Sequence, residues 1–416
     1  MRQAFHNLEP WKRNLYMLFA AQLLSVAGFS LIFPFLPLYV KKLGVATVGS
    51  VEFWSGMVFS AQGLTMGIAA PIWGAVADRI GRKLMVERAL FGGAILLALM
   101  GLARSAEELT LLRALQGMIT GVMAAGSALV AASTPRSKSG WSLGLMQTAA
   151  WAGTAVGPLL GGVLADTVGF RTTFQVTAGL LLLSGVSVHL WVTEAQDTLE
   201  SDKALRLRSL FQSWQNALAA EGMRALYTVK FAVRLAATVM LPIAPLLVAA
   251  LMPASGRVAT VAGIFTAASA AASTFSAMGF GSLGDRIGHR RVLIMGCVLS
   301  GFGYLLFLGV TSIWQLIALA IVTGIANGAI IPSIGALLAN GSPAGEQGTV
   351  YGIDASVNAS ARVFAPLIGT AVTAAVSLQA GFAVAGVIFL IAAGLAIARL
   401  PRLAVPARRD AHSAAD

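Results

Sequence analysis

GAVADRIGRK, residues 74–83, returns as GSLGDRIGHR at residues 281–290, an offset of 207 positions in a chain of 416 residues. Each copy is a short charged phrase between two long apolar runs, and its glycines, Gly74 and Gly81 or Gly281 and Gly288, permit a tight reversal. The same offset recurs elsewhere. IFPFLPLYV at 32–40 matches MLPIAPLLV at 240–248, so Pro34 and Pro37 map onto Pro242 and Pro245 at 208. Gly117 and Gly121 map onto Gly324 and Gly328 at 207, and Pro158 and Gly161 map onto Pro366 and Gly369 at 208. So steady an offset marks a duplicated half.

The composition says what the halves are made of. Hydrophobic residues make up 57% of the chain and charged residues 11%, against about 45–50% and about 25% in soluble domains. Runs of some 20 apolar residues suit helices crossing a hydrocarbon core of about 30 Å. Twelve spans fit, at roughly 14–40, 53–77, 84–104, 109–133, 140–166, 172–192, 223–251, 257–283, 292–311, 314–338, 348–376 and 380–399. The expected fold is an all-α integral membrane protein of twelve transmembrane helices in two pseudo-symmetric six-helix bundles. Because six is even, the halves share one orientation and are related by an axis along the membrane normal.

Charge sets the topology. Of 29 lysines and arginines, 20 fall on one side when the N-terminus is placed in the cytoplasm, and only Lys41, Lys42, Arg104, Arg171 and Arg257 fall outside. The bias puts both termini inside the plasma (inner) membrane. It also accounts for the net charge of +12 without nucleic acid, since no single face gathers the cations. The expected organisation is a cytoplasmic tail at 1–13, a bundle at 14–192, a linker at 193–222, a second bundle at 223–399 and a tail at 400–416. Within the linker, LRSLFQSWQNAL (207–218) has the spacing of a short interfacial helix.

Asp78 and Asp285 lie in the repeated phrases, where neighbouring helices begin. A helix start presents unpaired amides and partial positive charge, so a carboxylate there makes contacts worth about 0.3–1 kcal/mol, up to about 2 when partly buried. Such contacts can be made and broken. That suits a cytoplasmic gate built from Gly74, Asp78, Arg79, Gly81, Arg82 and Lys83 with Gly281, Asp285, Arg286 and Gly288.

These phrases resemble the loop signature of the major facilitator superfamily. LLRALQGMITG (111–121), with Arg113 inside the span, is similar to that superfamily's fourth-span motif, and WAGTAVGPLLGG (151–162) to the motif its exporters carry. FSLIFPFLPLYVKKLGV (29–45) and PRSKSGW (135–141) resemble multidrug efflux proteins of the MdtG type. The resemblance covers nearly the whole chain and implies a twelve-span drug/proton antiporter. Many such antiporters carry an acid in the first span, and LLSVAGFSLIFPFLPLY (23–39) has none. In the fifth span Gly153, Gly157, Pro158, Gly161 and Gly162 let helix backbones approach, with a bend at the proline.

Four cations, Arg113, Lys230, Arg234 and Arg362, fall inside spans, where each costs about 2.5–3.5 kcal/mol unless it faces a partner or a wet cavity. Lys230 and Arg234 share a helix face, as do Asp354, Asn358 and Arg362; Gln22 and Gln116 add neutral polar groups. Asp354 is the acid placed well inside a span, which makes it the first candidate to carry a proton; a permanent ion pair with Lys230, Arg234 or Arg362, or a place in the gate, is the alternative. Lys230 is the second candidate. Four cations against one acid predict an electropositive cavity.

The leading expectation is therefore a secondary exporter of amphipathic drug-like compounds, exchanging them for protons by alternating access. The alternative keeps the fold and changes the cargo to an anionic lipid, a glycolipid or a small organic anion. Expected partners are a small-molecule or lipid substrate, protons and the bilayer, for a monomer with no cofactor and no metal. The scattered His6, His189, His289 and His412 and the single Cys297 supply no metal set, and GxxxxGK[ST], HExxH and GxSxG are absent from the sequence. Neither ATP-driven pumping nor an enzyme is expected.

Overall fold

In lipid the backbone's polar groups must be satisfied within the chain, and the helix does this segment by segment. The computed structural model describes residues 9–194, 215, 218–219, 222–253, 256–341 and 347–401, and among these there are helices and turns but no strand. The first half contains α1 (Pro10–Leu31), α2 (Leu36–Leu43), α3 (Val51–Ile80), α4 (Arg82–Met100), α5 (Ala106–Ile119), α6 (Val122–Ser133), α7 (Ser139–Thr167) and α8 (Phe170–Trp191). The second contains α9 (Met223–Val239), α10 (Ile243–Leu251), α11 (Val258–Ile287), α12 (His289–Leu305), α13 (Ile313–Gly341), α14 (Gln347–Ala375) and α15 (Leu378–Arg399).

Three traverses are broken helices, so these fifteen helices make twelve crossings. Pro34 and Pro37 interrupt the first between α1 and α2, and Pro242 and Pro245 interrupt the seventh between α9 and α10, because proline lacks the amide and its ring crowds the preceding turn. The fourth parts at Thr120 and Gly121 between α5 and α6, where a continuous span at 109–133 was expected. Its counterpart α13 runs unbroken. Among the described residues nine helical segments are long and apolar enough to cross a membrane, and the more polar α3, α4 and α14 complete the twelve. Most of the expected linker, with LRSLFQSWQNAL, and the terminal tails lie outside the described residues.

The packing repeats with the sequence. Within the first half α1 lies on α7 and α8, α3 on α5, and α4 on α8; within the second α9 lies on α14 and α15, α11 on α13, and α12 on α15. Each half has its own core. Stacked rings anchor the second, with Phe307 and Phe382 4.6 Å apart and Tyr304 and Phe389 5.4 Å apart. Small residues bring the backbones close: a Cβ at Gly117 would strike Gln62 O on α3, and one at Gly324 would strike Ser269 O on α11.

Both repeated phrases turn on a glycine with left-handed φ, 106° at Gly81 and 95° at Gly288, a region that side chains disfavour. The same end of the molecule holds the start of α1 and the end of α15, since Asn14 bonds Thr193 and Arg290 bonds Leu400. We call it the loop end. Two seams join the halves, α3 on α14 and α7 on α11.

Candidate functional site

The seams are closed at the end away from the loops. There a Cβ on Gly56 would meet Pro366 O at 3.0 Å, one on Gly162 would strike the Ala259 carbonyl, and one on Gly263 would strike that of Pro158. Halfway along, Gly63 packs on Arg362 and Gly67 on Ala359, each with a Cβ distance of 3.1–3.2 Å. Toward the loop end the contacts stop: beside Gly140 and Gly144 on α7, Gly279 and Gly281 on α11, Gly74 on α3 and Gly352 on α14 there is open space. We read this end of the glycine contacts as the halves diverging toward the loop end.

A polar cluster lies along this divergence on α9 and α14. Lys230 forms an ion pair with Asp354, whose second oxygen accepts from Asn358 Nδ2 at 3.1 Å; Arg234 Nε donates to Asn358 Oδ1 at 2.7 Å. Each helix offers its polar residues one turn apart, so the two stripes meet residue for residue. The Lys230 and Asp354 side chains are 12% and 18% exposed, buried enough for the pair to matter and open enough to exchange with water. Arg362, on the same stripe, is exposed. Among the described residues no carboxylate is bonded to Arg234. Three cations and one acid give this surface a net positive charge.

Gln22, Arg113 and Gln116 belong elsewhere. All three were expected to face a cavity, and all three are buried within the first half. Arg113 Nη1 donates to Gln116 Oε1 at 2.7 Å, Nη2 to Gln62 Oε1 and Nε to Val58 O, with the guanidinium 5.8 Å from the Phe59 ring. Gln22 donates to Met146 O at 2.8 Å. Arg113 is therefore an internal strut between α3 and α5, neutralised by dipoles rather than by a counter-ion. Gln62, which the sequence reading passed over, completes it.

In this arrangement the described side chains of the repeated phrases bond within their own halves. Asp285 is exposed, and its partner among the described residues is His289 one turn along, 3.2 Å away. The Asp78 side chain lies outside the described part. The start of α4 is instead capped by Glu194, which accepts from Arg82 N at 3.0 Å and Lys83 N at 2.9 Å. The equivalent basic residues of the two phrases, Lys83 and Arg290, bond the closing carbonyls of the last helix of their own half: His189 O on α8 at 3.0 Å, and Ile397 O and Leu400 O on α15 at 2.7 and 3.0 Å. A cation at a helix C-terminus is favoured by the dipole. Arg79 and Arg286 are exposed near the ends of α3 and α11.

The fifth-span glycines serve two partners. Gly153, Gly157 and Gly161 press against the α1 backbone around Leu23, Ala27 and Leu31, while Pro158 and Gly162 press against α11 of the other half. A pocket of about 430 Å³ lies apart from the seams at the loop end of α9 and α15, lined by Arg224, Thr228, Leu395 and Arg399; it holds none of the polar cluster. Among the described residues no three histidine, cysteine or acidic side chains converge as a metal site would need.

Two like-oriented six-crossing halves, meeting along two seams with charged side chains beside the gap, define a membrane transporter and not an enzyme. The model of the Major Facilitator Superfamily matches residues 18–255 and 226–415, and the chain belongs to that superfamily. It is 36% identical over 401 residues to a protein of Enterobacter lignolyticus named multidrug resistance protein MdtG, covering 96% of this chain and 95% of the relative. A Serratia proteamaculans protein of the same name is 36% identical over 380 residues, covering 91% and 92%. In fold the chain is similar to a bacterial homologue of the human lysosomal transporter Spinster in an inward-facing, unoccupied conformation, with a TM-score of 0.76 at 16% identity over 94% of this chain and 97% of that one. It is likewise similar to the human organic anion transporter TETRAN, with a TM-score of 0.66 at 19% identity over 94% and 100%.

Proposed function

We propose that the chain exports amphipathic drug-like compounds across the plasma membrane by alternating access, with the loop end facing the cytoplasm. What supports the reading is the match along nearly the full length to relatives named for multidrug resistance, together with glycine contacts between the halves that stop short of the loop end. Substrate enters there from the cytoplasm or the inner leaflet, and the halves rock to close the loop end and part the other. The gate formed by the repeated phrases belongs to the second arrangement, which is why the partner of Asp285 among the described residues is His289 in this one.

Lys230 and Asp354 are the coupling pair. While Asp354 is ionised it holds Lys230 and Asn358; a proton on Asp354 cancels the charge that pairs with Lys230 and frees a cation toward the gap. Gradient-driven uptake into proteoliposomes tests this: accumulation that ignores an imposed pH gradient removes proton exchange and leaves transport standing. The excess of Lys230, Arg234 and Arg362 over Asp354 favours a second reading, an exporter of anionic lipid, glycolipid or small organic anion. Ligand-induced thermal stabilisation by anionic but not cationic compounds selects it.

A further inference from the structure

The two seams match where Gly56 meets Pro366 and Gly263 meets Pro158, and they differ in how their helices begin. Helix α3 begins at Ser50, whose hydroxyl accepts from Phe53 N at 3.2 Å and caps the helix from its own chain. Its counterpart α11 begins at Arg257, 207 positions on, and has no such cap. The two amides that an N-cap side chain would take are those of Ala259 and Thr260. Asp166, on α7 of the other half, takes both: Oδ1 accepts from Ala259 N at 3.2 Å and Oδ2 from Thr260 N at 2.6 Å. Thr260 Oγ1 adds a bond to Gly162 O at 3.4 Å. At the matching place on the other seam, 208 positions on, stands Ala374, and the contact there is glycine on threonine.

We infer that Asp166 is the latch of the end away from the loops: it lends α11 the cap that helix lacks, so the halves cannot part at that end without uncapping α11. The inference rests on the alternating-access reading. A carboxylate at the positive end of a helix dipole is favoured only at contact range, which makes the interaction cooperative with closure. It also places the control of the far end on one seam. The α3 seam, capped within its own helix, parts without loss of a cap.

The test uses the full chain in nanodiscs, with Cys297 replaced by alanine and spin labels at two exposed far-end positions, Leu102 in the first half and Val376 in the second. Double electron–electron resonance reads the ratio of closed to open far ends. Asp166→Ala shifts that ratio toward open by about fivefold, the effect of losing an N-cap, and Asp166→Asn, which keeps one acceptor oxygen, shifts it less. Adding Arg257→Ser to Asp166→Ala supplies a cap from within the helix. Thermal stability then recovers while the ratio stays shifted. Recovery of both shows that Asp166 is only a structural cap and overturns the latch, as does an unchanged ratio in Asp166→Ala. Arg257→Ser alone, which leaves every native acid in place, shifts the ratio toward open by competing for the same amides; no shift there also counts against the latch. A wild-type protein with a single far-end distance under all conditions instead defeats alternating access itself.

Discussion

Alanine at Gly161 and alanine at Gly162 should fail in different ways, although the residues are neighbours. A Cβ at Gly161 strikes the Leu31 carbonyl on α1, inside its own half, whereas one at Gly162 strikes the Ala259 carbonyl and comes within 2.8–2.9 Å of Ala259 C and Thr260 Cα on α11, in the other half. These are backbone atoms, so no rotamer change relieves them, and the cost of such overpacking is about 1–3 kcal/mol. In Gly161→Ala the strain is present in every arrangement of the halves and appears as lost stability. In Gly162→Ala it exists only while the far end is closed. The protein escapes it by parting there, and about 1–3 kcal/mol becomes a roughly 5- to 150-fold shift toward the open far end. The assay pairs thermal unfolding with the distance between labels at positions 102 and 376. If Gly162→Ala lowers stability as Gly161→Ala does and leaves the distance distribution alone, the seam is static and the reasoning is refuted.

Other outcomes follow from the polar groups. Asp354→Asn removes the counter-charge of Lys230 and the group that takes up the proton, and should abolish gradient-driven accumulation while ligand-induced thermal stabilisation persists; wild-type coupling in that variant rejects the pair. Arg113→Lys keeps the charge but cannot fork to Gln62 and Gln116, and should cost about 1–3 kcal/mol in denaturant unfolding despite the conservative chemistry. Arg290→Ala leaves the end of α15 without its cation, and Lys83→Ala does the same for α8; each should lose about 1 kcal/mol or less, measured as a lowered Tm, with the loss shrinking at high salt.

Much of the architecture was legible because duplication and lipid both leave strong marks. Pro34 and Pro37 with Pro242 and Pro245 marked the repeat, but the spans at 14–40 and 223–251 were expected to be continuous and each is broken at its prolines. The break at Thr120 was not legible, since the phrase around it reads as continuous helix and its counterpart in α13 is one. Spacing placed Lys230 and Arg234 on one stripe and Asp354 and Asn358 on another, but only packing could show that the stripes face each other. Arg113 misled for a physical reason. A buried guanidinium can be satisfied by amide oxygens as well as by a cavity, and Gln62, three turns into its own helix, carries no sign of that role in the sequence. Asp166 and Glu194 were passed over because each caps a helix remote in the chain, Asp166 in the other half and Glu194 more than a hundred positions away. The rule that put carboxylates at helix starts was sound; which carboxylate meets which start is a matter of tertiary structure.

The measurement closest to the central claim reads both ends of one protein together. Labels at Leu102 and Val376 report the far end, and labels at Lys138 and Ser282, exposed on α7's leading edge and on α11, report the loop end. Under conditions that change the balance of states, such as an Asp354→Asn background or added ligand, the account predicts that the loop-end distance shortens in step as the far-end distance lengthens. Ends that widen together, or a loop end that stays fixed while the far end moves, contradict it.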